Sequence, residues 1–133
     1  MQKIERRGLL SVLWIFLTVN YIFCDVFTLM YSPELKQIMN GSIGGIEITQ
    51  GFLLSFALIM ELAMVMIVLS KYLPYPVNRL SNIVVALLLA VVQGGSLFFG
   101  ESTMHYKFFS IVEIATHISI IYFAATWQRE VST

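Results

Sequence analysis

Four long apolar runs decide what this chain can fold into. They cover about residues 9–31, 49–70, 80–99 and 106–127. Each holds roughly 20 residues or slightly more, enough to cross a ~30 Å hydrocarbon core at ~1.5 Å per residue of helix. Within a bilayer the backbone must satisfy its own N–H and C=O groups, so such segments are helices and not open strands. The expected fold is an all-α membrane protein, an up-down bundle of four transmembrane helices. Residues 1–133 read as a single integral membrane domain.

Composition supports the bilayer as the main partner. Hydrophobic residues make up 58% of the chain and charged residues 12%, against about 25% charged in an ordinary soluble domain. Formal net charge is zero. There is no basic stripe, no zinc-finger spacing and no glycine-rich phosphate loop, so no nucleic-acid partner is expected. Cys24 is the sole cysteine, which excludes an internal disulfide and a Cys-x-x-Cys redox pair. The basic start KIERRG suits a secretory signal, but the apolar run behind it is too long and no small-x-small cleavage site follows. Ile22 and Phe23 before Cys24 are too bulky for lipoprotein-type processing. The first run is expected to be a retained span.

The connections are short and carry turn chemistry. Ser32-Pro33-Glu34 reads as a helix start with an N-cap serine, and Asn40-Gly41 as its end, giving a short interfacial helix between spans one and two. Gly44-Gly45 lets the chain turn into span two. Pro74 and Pro76 stop span two, and Asn78 is expected to cap span three. Gly100, Glu101 and Ser102 form the last connection. Lys3, Arg6, Arg7, Lys71, Arg79 and Arg129 fall on one side, and Lys36 and Lys107 on the other. The positive-inside rule then places both termini in the cytoplasm, in a cell inner membrane.

Four ionisable residues lie within the spans: Asp25, Glu61, Glu113 and His117. A charged side chain at mid-bilayer costs roughly 2.5–3.5 kcal/mol on insertion scales, so interior positions are expected. At about 100° per residue, Trp14, Thr18, Tyr21, Asp25 and Thr28 share a face of span one. Gln50, Leu54, Glu61 and Val68 align on span two. Asn82, Ala86, Leu89, Gln93, Ser96 and Gly100 align on span three. Tyr106, Ser110, Glu113, His117 and Ala124 align on span four. Four polar stripes suggest a shared seam in two layers. Asp25, Tyr21 and Glu113 form the outer layer; Glu61, His117 and Gln93, with Asn20 at similar depth, form the central one. The seam is expected to open outward as a polar cavity.

These residues admit several chemistries. Glu113 and His117, at i and i+4, could pair as a simple staple. Glu61, Glu113 and His117 are candidate metal ligands, hard oxygens with an imidazole. Di-iron bundles, however, use Glu-x-x-His, whereas here the spacing is Glu-x-x-x-His. His105 and His117 are roughly 18 Å apart along a helix, too far to clamp one haem iron. Ser110 stands two turns from His117, which is weak support for nucleophilic catalysis.

Three stretches carry a family resemblance: LWIFLTVNYIFCDVFTLM, ITQGFLLSFALIMELAMVMIVLSKYLPYPVNRLSNI and FFSIVEIATH. The chain resembles a family of uncharacterised small bacterial four-span membrane proteins, domain of unknown function 6326. Matching positions include Asn20, Tyr21, Asp25, Gln50, Gly51, Glu61, Asn78, Arg79, Asn82 and Glu113. The family pattern often has a proline two residues beyond the span-two glutamate. Ala63 stands there in this chain, so no kink is carried over. The resemblance implies architecture and a bacterial origin, and no reaction.

The leading expectation is a polar intramembrane site that binds or moves a small ligand, a cation or protons. Asp25, Glu61, Glu113, His117, Tyr21, Asn20, Gln50 and Gln93 would line it. A membrane redox or metal-dependent enzyme and a non-catalytic accessory subunit braced by the same residues are the alternatives. Whether a reaction is catalysed, which cofactor serves it, and whether a homo-oligomer or a membrane partner forms are left open.

Overall fold

Threonines open two of the long helices. Thr49 Oγ1 accepts from the Phe52 N–H at 3.0 Å, and Thr103 Oγ1 from the Tyr106 N–H at 3.3 Å. Each takes up a first-turn donor that the helix itself cannot pair. A computed structural model describes residues 5–98 and 103–128. Its elements are α1 (Arg6–Met30), α2 (Ser32–Met39), β1 (Ser42–Ile43), β2 (Ile46–Glu47), α3 (Gln50–Tyr72), α4 (Tyr75–Ser96) and α5 (Met104–Ala125). Four of them, α1, α3, α4 and α5, are long and apolar enough to cross a membrane. They form an up-down bundle with α2 between the first two spans, as the sequence predicts. Lys3, Gly100, Glu101, Ser102 and Arg129 lie outside the described residues.

The α1–α3 connection is more ordered than the glycines alone suggest. Strands β1 and β2 pair antiparallel, Ser42 opposite Glu47 and Ile43 opposite Ile46. Gly44 and Gly45 have φ of 56° and 81°, the left-handed pair that a two-residue hairpin turn requires. Gly41, at φ 84°, ends α2. Its N–H donates to the Ile38 carbonyl at 3.0 Å, and its carbonyl accepts from Ile48 at 2.7 Å.

Helix α4 starts at Tyr75, ahead of the apolar run first visible at residue 80. Pro74 is its N-cap and Pro76 sits in its first turn, where a missing N–H leaves no bond unmade. Asn78 is therefore inside α4 and does not cap it. Its Nδ2 donates to the Ser70 carbonyl at 2.7 Å and to the Leu73 carbonyl at 3.3 Å. It closes the end of the preceding helix instead.

Two ends of the bundle can now be named. Arg6, Arg7 and Arg79 mark the arginine end, where α1 and α4 begin and α3 and α5 finish. The β1–β2 turn marks the hairpin end. The core lies toward the arginine end: Leu10, Trp14 and Leu17 of α1, Ala63 and Met66 of α3, Ala86 and Leu89 of α4, and Ile120 and Ala124 of α5, none more than 2% exposed. Helix α1 packs closely on α3 and α5, and α4 on α5, while α3 meets α4 only lightly. The buried residues of α3, namely Ala63, Met66 and Ser70, all lie in its second half. Its first half has none.

Candidate functional site

The buried face of α1 is Leu10, Trp14, Leu17, Tyr21 and Cys24, an i, i+4, i+7, i+11, i+14 ladder. On α5 the buried face includes Ser110, Glu113, His117, Ile120 and Ala124. Where the two ladders meet near mid-helix, a polar centre forms. The Tyr21 hydroxyl lies 2.7 Å from His117 Nε2. His117 is 0% exposed and Glu113 1%. Two atoms of this pair, Glu113 Oε2 and His117 Nδ1, have no hydrogen-bond partner. Leaving such a buried group unpaired costs about 1–3 kcal/mol. A phenol that donates to Nε2 puts the ring proton on Nδ1, which leaves one unpaired donor and one unpaired acceptor on the same face of α5.

Glu113 and His117 share that face, but the simple staple is not made. The imidazole Nε2 is engaged across the bundle by Tyr21, and Nδ1 is engaged by nothing among the described residues. Toward the hairpin end the centre continues in bonded pairs between α4 and α5. Gln93 Nε2 donates to Ser110 Oγ at 2.7 Å. Ser96 and Tyr106 share a short hydroxyl–hydroxyl bond. On the α1 side Thr28 Oγ1 lies 3.1 Å from His105 Nε2.

Glu61, Gln50 and Asn20, also expected at the site, stand apart from it, and Asp25 lies at its edge. Glu61 is exposed, and its place on α3 explains why. Ala63, Met66 and Ser70 are buried, and helical periodicity puts them about 140–180° from Glu61. The small residues Ala63 and Ser70 let α1 approach α3 closely, so the polar stripe with Gln50 and Glu61 turns outward. Gln50 is exposed too. Asp25 is exposed because Cys24, one position earlier, continues the buried ladder. Asn20 is half-buried and donates back to its own helix at the Phe16 carbonyl, 2.8 Å. Glu61 therefore does not join Glu113 and His117, and no three His, Cys, Asp or Glu side chains converge among the described residues.

Sequence reasoning missed a second polar group at the arginine end. Trp14 Nε1 donates to Asn82 Oδ1 at 2.7 Å, and Ser70 Oγ donates to the same oxygen at 3.2 Å. Asn82 Nδ2 donates to the Asn78 carbonyl at 2.8 Å and to Asn78 Oδ1 at 2.7 Å. This network ties α1, α3 and α4 together. Arginines finish the job on α5. Arg6 Nη1 reaches the Phe123 carbonyl at 2.7 Å, and Arg79 reaches the Ala124 and Ala125 carbonyls at 3.1 and 2.8 Å. Cations at a helix C-terminus meet both its unpaired carbonyls and its dipole. The available signal was Asn78 and Asn82 at i, i+4 beside Arg79.

A family model matches residues 2–133, nearly the whole chain. The chain belongs to DUF6326, a family of unknown function. No curated protein and no solved structure matches it. Family membership thus agrees with the resemblance carried by the first, second and fourth spans, and the centre of this DUF6326 member must be argued from its own atoms.

Proposed function

We propose that this protein is a multi-pass protein of a bacterial inner membrane that binds a small polar ligand, a cation or a proton at the Tyr21–His117–Glu113 centre. One observation carries this reading: two polar atoms on fully buried side chains, Glu113 Oε2 and His117 Nδ1, lack protein partners. Ionisable residues within spans are expensive and mark sites by default. These two groups are held among bonded neighbours. Arg6, Arg7, Lys71 and Arg79 at one end outnumber Lys36 and Lys107 at the other, which supports a cytoplasmic arginine end.

Reconstituted protein tests it. Glu113→Gln and His117→Gln should abolish ligand or proton uptake while the bundle still forms. If both variants keep every uptake of the unmodified protein, the reading fails. A second reading makes the centre a brace, and the Trp14–Asn82 network favours it by showing that this bundle does use buried polar groups as glue. That reading expects the same two variants to lower the unfolding midpoint and to change nothing else.

A further inference from the structure

On α1 and α4, which contribute to both polar groups, an apolar step separates them, and on α5 and α3 an apolar step lies between the polar group each carries and the opposite region. Leu17 lies between Trp14 and Tyr21 on α1. Ala86 and Leu89 lie between Asn82 and Gln93 on α4. On α5, Ile120 and Ala124 follow His117, both 0% exposed. On α3, Ala63 and Met66 precede Ser70. These residues belong to one packed cluster, none more than 2% exposed. A buried apolar layer offers water and protons no hydrogen-bonding partner, so the centre has no polar route from the arginine end.

Toward the hairpin end the same helices offer the opposite. From His117 back to Thr103, about 21 Å of helix α5, the inward positions read Glu113, Ser110, Tyr106 and His105. Gln93, Ser96 and Thr28 face them with hydrogen bonds. Beyond Glu113, groups in this file are hydroxyl, carboxamide and imidazole, bonded in separate pairs. Such a file has few free lone pairs for a cation, which needs a cage of several oxygens, but hydroxyl and imidazole groups pass protons by exchanging donor and acceptor roles.

We infer that the ligand of the centre is the proton, and that it reaches Glu113 from the hairpin end alone. This rests on the reading of the centre as a binding site and narrows it. In the step, an O–H bond of a hydronium ion at the hairpin end breaks, leaving water, and an O–H bond forms at Glu113 Oε2; no oxidation state changes. Other titratable groups near the file are Tyr21, Cys24 and Asp25 of α1 and Tyr106 and His105 of α5. Helix α4 brings none to it, and α3 brings only Glu61, which is turned away.

Infrared difference spectra of protein reconstituted in one orientation test the inference, with orientation fixed by protease access. The pH is stepped on one face of the vesicles at a time. A carboxylic-acid C=O band should respond to steps at the hairpin end. It should be silent to steps at the arginine end until a protonophore is added. The band should vanish in Glu113→Gln. Should that variant misfold, carboxyl-¹³C glutamate in the unmodified chain distinguishes glutamate from Asp25, and Glu61→Gln combined with Glu5→Gln, Glu34→Gln, Glu47→Gln, Glu101→Gln and Glu130→Gln, which should retain the band, leaves Glu113 as its source. Equal response to both faces would overturn the one-sided access and leave the site itself standing. A chain with no titrating glutamate band would overturn the proton as ligand, while binding of another polar ligand, lost in His117→Gln, would still uphold the site.

Discussion

The molecule contains two buried polar regions, and they treat their hydrogen bonds differently. At the arginine end Trp14, Ser70, Asn78 and Asn82 form a network in which Asn82 alone makes four bonds. At mid-bundle Tyr21 and His117 share one bond, and Glu113 Oε2 and His117 Nδ1 have none. Both regions are taken out of solvent, at a cost that bonding offsets. A network that pairs its atoms strengthens the bundle; one that leaves atoms unpaired weakens it and persists for another reason. On the proposed reading, the contrast is that of a brace and a site within one bundle.

Substitutions can break or sharpen that contrast, and the brace should respond most. Asn82→Ala leaves the Trp14 N–H buried without its partner and should cost about 2–3 kcal/mol of stability, read as a lower unfolding midpoint in detergent, with proton uptake per folded molecule intact. An unchanged midpoint would remove the brace from the account. Arg6→Ala combined with Arg79→Ala exposes the α5 carbonyls, and a loss of about 1 kcal/mol per arginine is expected. Denaturation in high salt checks this, since it should weaken the unmodified chain more than the double variant. Tyr21→Phe adds His117 Nε2 to the unpaired atoms and should cost about 1 kcal/mol; it should also alter the titration of the centre, which a passive packing residue would not. Glu113→Gln should change stability by less than about 1 kcal/mol, because its Oε2 makes no bond to lose, yet uptake should stop. A large destabilisation there would make the centre a brace after all. Glu61→Gln should shift the midpoint by no more than about 0.5 kcal/mol, as surface positions do.

The spans were legible because a bilayer demands length and apolarity, and both are written in consecutive residues. Span starts were less so: α4 begins at Tyr75 because a proline pair suits a first helical turn as well as it suits a stop. The members of the centre could be read, since Tyr21, Glu113 and His117 lie on faces that periodicity assigns, but not their layers: Tyr21, expected in the outer layer, bonds His117 of the central one. Periodicity does not say which face of a helix meets its neighbour. On α3 the polar residues suggested one face and the small residues settled another, so Glu61 and Gln50 were expected inside and stand outside. The bonds of Asn82 were invisible for a different reason. They depend on how far α1 and α3 slide along α4, a register that no single helix contains.

The Asn78 contacts at the α3–α4 corner have a consequence for assembly. The Asn78–Ser70 bond spans 8 residues, and the Ser70–Asn82 bond spans 12. Contacts so near in sequence close early, before long loops must be paid for in chain entropy. The corner can lock as soon as the middle two spans are inserted. Trp14 joins Asn82 across 68 residues, whereas Tyr21 meets His117 across 96 and only after the last span arrives. The chain builds its scaffold from the inside outward, and the Tyr21–His117 centre is the final thing to exist.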